Sequence, residues 1–154
     1  MSPVRGTAPR TPCRREVEVP VLLVDAANVV GARPDGWWRD RAGATARLLE
    51  RLALAGPELT APDGSRVTEV VAVVEGRARE VPAPEGVRVV RARGSGDDDV
   101  VACAAELGGT PLLVVTADRG LRARLPAGAA VVGPGWLLER LDRDDGPRAG
   151  TARA

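Results

Sequence analysis

Three short runs with no polar face constrain this chain more than anything else in it. "VPVLLVDA" at 19–26, "TEVVAVVEG" at 68–76 and "PLLVVTA" at 111–117 are β-branched, apolar at successive positions and too short for helices. A strand with one face in water alternates in polarity, whereas a strand covered on both faces does not. Two weaker runs, "GVRVVRA" at 86–92 and "AAVVG" at 129–133, complete a set of five. Segments of helical spacing lie between them. "DRAGATARLLERLALA" at 40–55 offers Leu48, Leu49, Leu52 and Leu54 as apolar anchors. "DDDVVACAAELGG" at 97–109 has acids in its first turn and Gly at its end. A short helix is expected at "DRGLRARL" and a closing one at "PGWLLERLD", with Pro near its start. The link between Gly76 and Glu85 is too Pro-rich to read as a helix. Strands alternating with helices form βαβ units. The expected fold is therefore α/β, a parallel sheet of about five strands flanked by helices.

At 154 residues and 44% hydrophobic composition the chain can build one cored domain. Residues 1–17 and 143–154 mix Pro, Gly, Arg and Thr or Ala without periodicity. They are expected to be a disordered leader and tail around a domain at 18–142. The formal charge is only +1, so bulk electrostatics gives no argument for nucleic-acid binding. All 22 basic residues are Arg, and His is absent. The lack of His excludes Ser-His-Asp and Cys-His catalysis, His-based zinc sites and histidine proton relays. Of the two cysteines, Cys13 falls in the leader and Cys103 in an apolar helical pattern, where it reads as a core residue. No apolar run approaches the ~18 residues of a membrane span, and a cytoplasmic protein is expected.

Ligands of open parallel sheets bind beyond the carboxyl ends of the strands. Here the first strand ends in Asp25 and Asn28, and the second in Glu75. The third leads through "GSG" into Asp97, Asp98 and Asp99, and the fourth into Thr116 and Asp118. Each acid alone has a structural explanation. Ser95 or Asp97 could cap the third helix, Asp118 could cap the fourth, and Glu75 could pair with Arg77 or Arg79. Together, carboxylates converging on one rim repel one another, and a divalent cation removes that cost. All-oxygen donors suit Mg²⁺ or Mn²⁺, ions that serve phosphate-ester chemistry. "RPDGWWRDR" at 33–41 adds Trp37 and Trp38, which either pack on the domain or stack on bases, with Arg39 and Arg41 meeting phosphates. Arg119, Arg122 and Arg124 offer further phosphate contacts or a solvated helix face.

The order "VDAAN", "VVEG", "GSGDD" opening a helix, then "VVTAD", resembles the PIN-like nucleases. Within them it is most similar to the NYN type, whose first motif is Asp-x-x-Asn. The resemblance spans about residues 19–141. It implies a Rossmann-like sheet of order 3-2-1-4-5 and a ribonuclease that uses a carboxylate-held Mg²⁺ or Mn²⁺ and an activated water. Its implied substrate is RNA, in single-stranded regions. By the family's motifs Asp25 is the first metal ligand and Asn28 its companion. Asp97 and Asp98 match the acidic pair, although a shift by one selects Asp98 and Asp99. Asp118 is the late acid, with the Thr116 hydroxyl two residues before it, and Glu75 matches an acid often found after the second strand. Asp25, Asp97, Asp98 and Asp118 are thus the catalytic candidates. Asn28, Trp37, Trp38, Arg39, Arg41, Thr116 and Arg119 are candidates for substrate contact. Two other readings stay open: hydrolysis of a nucleoside triphosphate to release pyrophosphate at the same acids, and a non-catalytic RNA- or protein-binding module.

Overall fold

The computed structural model describes residues 20–34, 36–108 and 110–152; the expected leader at 1–17 lies outside them. Five strands form one sheet: β1 (Val21–Asp25), β2 (Glu69–Val74), β3 (Val87–Arg91), β4 (Leu112–Val115) and β5 (Ala130–Val132). Their order is β3-β2-β1-β4-β5, and every neighbouring pair is parallel. Five helices connect and close it: α1 (Ala26–Val30), α2 (Arg41–Ala55), α3 (Gly96–Glu106), α4 (Arg119–Arg124) and α5 (Pro134–Ala152).

The lack of a polar face in β1, β2 and β4 has the cause inferred from sequence: both sides of the sheet are covered. Leu22, Val24, Ala72, Val74, Leu113 and Val115 pack into one core with Leu48, Leu49 and Leu52 of α2 and Leu137, Leu138 and Leu141 of α5. The alternate residues Val21, Leu23, Val71, Val73, Leu112 and Val114 pack into a second core with Val100, Cys103 and Ala104 of α3 and Leu121 of α4. The two-residue pleat sorts the side chains between the layers. β3 and β5 lie at the edges, and their side chains beyond Val87 are half-buried or exposed. That position accounts for the stronger alternation of "GVRVVRA".

Several local expectations are revised. Leu54 is not an anchor of α2. It is 68% exposed, because two residues after Leu52 the helix has turned by about 200°, and Ala55 takes the inward place. "AANVV" forms α1 directly after β1, and a short 3₁₀ helix occupies Gly76–Glu80, in the link read as non-helical. The helical backbone of α5 runs on to Ala152. At its root Asp142 accepts bonds from Arg33 at 2.6 Å and Arg51 at 2.8 Å, and these bonds hold its carboxyl down at about 2. They tie the loop after α1, helix α2 and α5 together. No helix among the described residues is long and apolar enough to cross a membrane.

Candidate acidic active site

The strand order reverses between β1 and β4: the chain runs outward from β1 to β2 and β3, then returns to β4 beside β1. A crevice opens at the carboxyl ends of such a pair. β1 and β4 are in register from Val21↔Leu112 to Val24↔Val115, so Asp25 and Thr116 come next, side by side. Asp25 is only 4% exposed and Thr116 1%. The Thr116 hydroxyl donates to Asp25 Oδ2 at 3.1 Å and accepts from the Asp118 N–H at 3.1 Å. Asp118 Oδ1 in turn caps α4 by accepting from the Leu121 N–H at 3.0 Å. Capping and site membership thus coincide in Asp118, which keeps its second carboxylate oxygen for other work.

Asn28, on the one-turn helix that follows Asp25, uses its side-chain carbonyl to accept the Ala117 N–H at 2.8 Å. This bond joins the end of β1 to the end of β4 and leaves the Asn28 amide NH₂ as a donor. Glu75, just past β2, does not pair with Arg77 or Arg79; it accepts the Gly96 N–H at the opening of α3. Ser95 caps that helix through its hydroxyl, leaving Asp97 uncommitted to capping. Four carboxylates, Asp25, Glu75, Asp97 and Asp118, therefore share one rim.

Their electrostatics shows that they feel one another. Burial pushes the Asp25 carboxyl up to about 6. Bonds from the Thr116 hydroxyl and the Asn28 backbone pull it back, and the charges of Asp97 and Glu75 push it further up. Asp97 is raised first by desolvation, then by Asp118 and Glu75, with Arg124 acting against them. Among the described residues no basic side chain is within salt-bridge reach of Asp25. The donor set is all oxygen, and its most buried member, Asp25, has no ion-pair partner among the described residues, which fits a hard divalent cation. Among the described residues, no three of these side chains yet stand close enough to hold one ion.

The middle acid of the run is placed differently. Asp98 is exposed, and its Oδ1 accepts from Arg124 of α4 at 2.9 Å. Asp99 is half-buried, and its charge acts on Cys103 on its own helix. Of the three, Asp97 is the one whose charge bears on Asp25. Trp37, Trp38 and Arg39 form a 3₁₀ turn, with Arg41 at the start of α2. Trp37 and Arg41 line a narrow cleft together with Glu75. Arg119 is exposed at the start of α4.

Sequence reasoning missed Gly96 as a site residue. A Cβ there would stand 2.7 Å from Glu75 Oε1. Gly96→Ala should displace that flexible carboxylate while the helix gains propensity. The expected result is a melting temperature within a few degrees of wild type, checked by thermal melting.

Fold and rim together define the class: an open, Rossmann-like α/β protein with an acidic site at its switch point. Among solved structures the chain is similar to Rae1 (YacP) from Bacillus subtilis. The TM-score is 0.66 at 18% identity, covering 88% of this chain and 80% of that one. A point mutant of the same protein gives 0.58 at 20% identity, covering 81% and 76%. The likeness is one of fold. No family model and no curated protein matches the chain.

Proposed function

We propose that the chain is a metal-dependent ribonuclease that hydrolyses RNA phosphodiester bonds at the rim formed by Asp25, Glu75, Asp97 and Asp118. The observation that carries this reading is Asp25: a carboxylate 4% exposed, at the switch point, with other acids and no basic partner among the described residues around it. A buried charge so placed costs stability, and the cost has a purpose if a cation is to be held there. The order of the motifs, which resembles the NYN nucleases, supports RNA as the substrate. The fold shared with Rae1 agrees with the topology that this resemblance implies.

Asp25 and Asp97 would hold a Mg²⁺ or Mn²⁺ ion, with Glu75 and Asp118 completing the set through their remaining oxygens. Bound there, such an ion neutralises charge developing on the phosphate and lowers the pKa of a water. The protein's own groups do the positioning. The Thr116 hydroxyl fixes the rotamer of Asp25, and Asn28 clamps the turn that carries Asp118. With one lone pair of its carbonyl taken by the Ala117 N–H, Asn28 keeps its amide N–H groups as donors, which suit a phosphate oxygen.

The purified chain, given Mn²⁺ or Mg²⁺, should cut single-stranded or structured RNA and release no pyrophosphate from nucleoside triphosphates. Pyrophosphate release without RNA cleavage would overturn the reading in favour of nucleotide hydrolysis. Tight RNA binding without cleavage under either ion would overturn it in favour of a binding module.

A further inference from the structure

A net charge of +1 cannot hold a polyanion over an acidic rim by bulk attraction, so substrate affinity needs a local source. One patch among the described residues joins exposed aromatic and basic side chains. Gly36 takes a left-handed conformation, φ +86°, and sets Trp37, Trp38 and Arg39 on a single tight turn. The two rings meet edge to face, with centroids 5.9 Å apart and planes at 86°. Each indole carries its own cation: Arg39 lies 5.9 Å from the Trp38 ring, and Arg41 lies 5.7 Å from the Trp37 ring.

The two halves differ in setting. Trp37 is half-buried against Gly31, while Trp38 is 54% exposed, one of two large apolar side chains so open among the described residues. Arg41 lies beside Gly76, and with Trp37 it lines the cleft that also contains Glu75. The outer half thus offers an exposed indole with a guanidinium over it, and the inner half offers a guanidinium lining the same cleft as Glu75.

We propose that this patch is a two-part subsite for one unpaired nucleotide. Trp38 stacks the base with Arg39 beside its phosphate, and Arg41, braced by Trp37, holds the adjoining phosphate next to Glu75. An exposed indole stacks any base that is free of its own helix and gains nothing from bases locked inside a duplex. The edge-to-face contact with Trp37 leaves Trp38 half-exposed, and a base stacking on it would share the ring with Arg39, which lies over it. The patch therefore selects single strands, and it places the strand beside the acids. Two arginines neutralise about two phosphates, so the affinity should depend only shallowly on salt, with a log–log slope of about −1.4.

This proposal takes the polymer's identity from the ribonuclease reading, but its test needs no cleavage. A fluorescein-labelled single-stranded RNA of about ten nucleotides is titrated into the full chain in EDTA, with anisotropy as the readout. Wild type should bind the strand, and Trp38→Ala should bind it about tenfold more weakly. Trp38→Phe should retain most of the affinity, and Arg41→Ala should lose a similar amount to Trp38→Ala. The same sequence as a duplex should bind wild type no better than the single strand binds Trp38→Ala. No single-strand binding at millimolar concentration, unchanged affinity in Trp38→Ala, equal binding of the duplex, or displacement by polyglutamate as efficient as by unlabelled RNA would each overturn the proposal. A chain that binds in this way but never cleaves would keep the subsite and lose the ribonuclease.

Discussion

Asp25→Asn is expected to eliminate RNA cleavage and, at the same time, to make the cation-free protein more stable at pH 7. The loss should exceed about a hundredfold, the upper figure for disturbing a mere outer-shell partner of a metal site. The gain follows from the carboxyl's position. Its rise from an ordinary 3.8 to about 6 means that ionising it inside the fold costs about 3 kcal/mol more than in the unfolded chain. The folded protein keeps this proton to a higher pH than the unfolded chain does. The group's penalty is therefore absent below about pH 4, grows as pH rises toward about 6, and is complete at neutrality. Asparagine carries no charge and can still accept the Thr116 hydroxyl, so the variant should melt several degrees higher at pH 7 in EDTA and lose that advantage at pH 4. Saturating Mn²⁺ should reverse the ranking by stabilising wild type through binding to the native state alone. A variant that melts lower than wild type in EDTA at pH 7 would show Asp25 to be a structural charge.

The second large contrast separates neighbours on α3. Asp97→Asn should lower cleavage by about a hundredfold, because Asp97 acts on Asp25 and is itself raised by Asp118 and Glu75. Asp98→Asn should change it by less than about fivefold. Asp98 makes an exposed pair with Arg124, and exposed pairs contribute about 0–1 kcal/mol. Single-turnover cleavage by both variants at saturating Mn²⁺ decides the matter. A large loss in Asp98→Asn with little in Asp97→Asn would move the acidic pair one residue along the helix.

The sheet was legible in the sequence because its three central strands are covered on both faces, and a strand so covered has no polar face. The acidic rim was legible because strand ends of a parallel sheet share an edge, whatever the loops do between them. Features that depend on long-range contacts were not legible. The choice among Asp97, Asp98 and Asp99 rests on Arg124, 26 residues away from Asp98, and no local pattern announces that pairing. The bond from Ala117 to Asn28 and that from Gly96 to Glu75 span 89 and 21 residues and consume side-chain atoms that the sequence could only identify as available. Asp118 shows the reverse case, since its capping and its place at the rim were weighed as rivals and prove compatible. Leu54 lies outside the apolar face of α2 because the 100° step between successive residues carries it to the solvent side.

Cation dependence of RNA cleavage is the most direct test of the account. Wild type stripped with EDTA and dialysed should leave a single-stranded RNA intact, and should cut it once Mn²⁺ or Mg²⁺ is added back. Asp25→Asn should stay inactive at every cation concentration. Undiminished cleavage in excess EDTA, or equal cleavage by wild type and Asp25→Asn after Mn²⁺ is restored, would contradict the acidic rim as the place where RNA is cut.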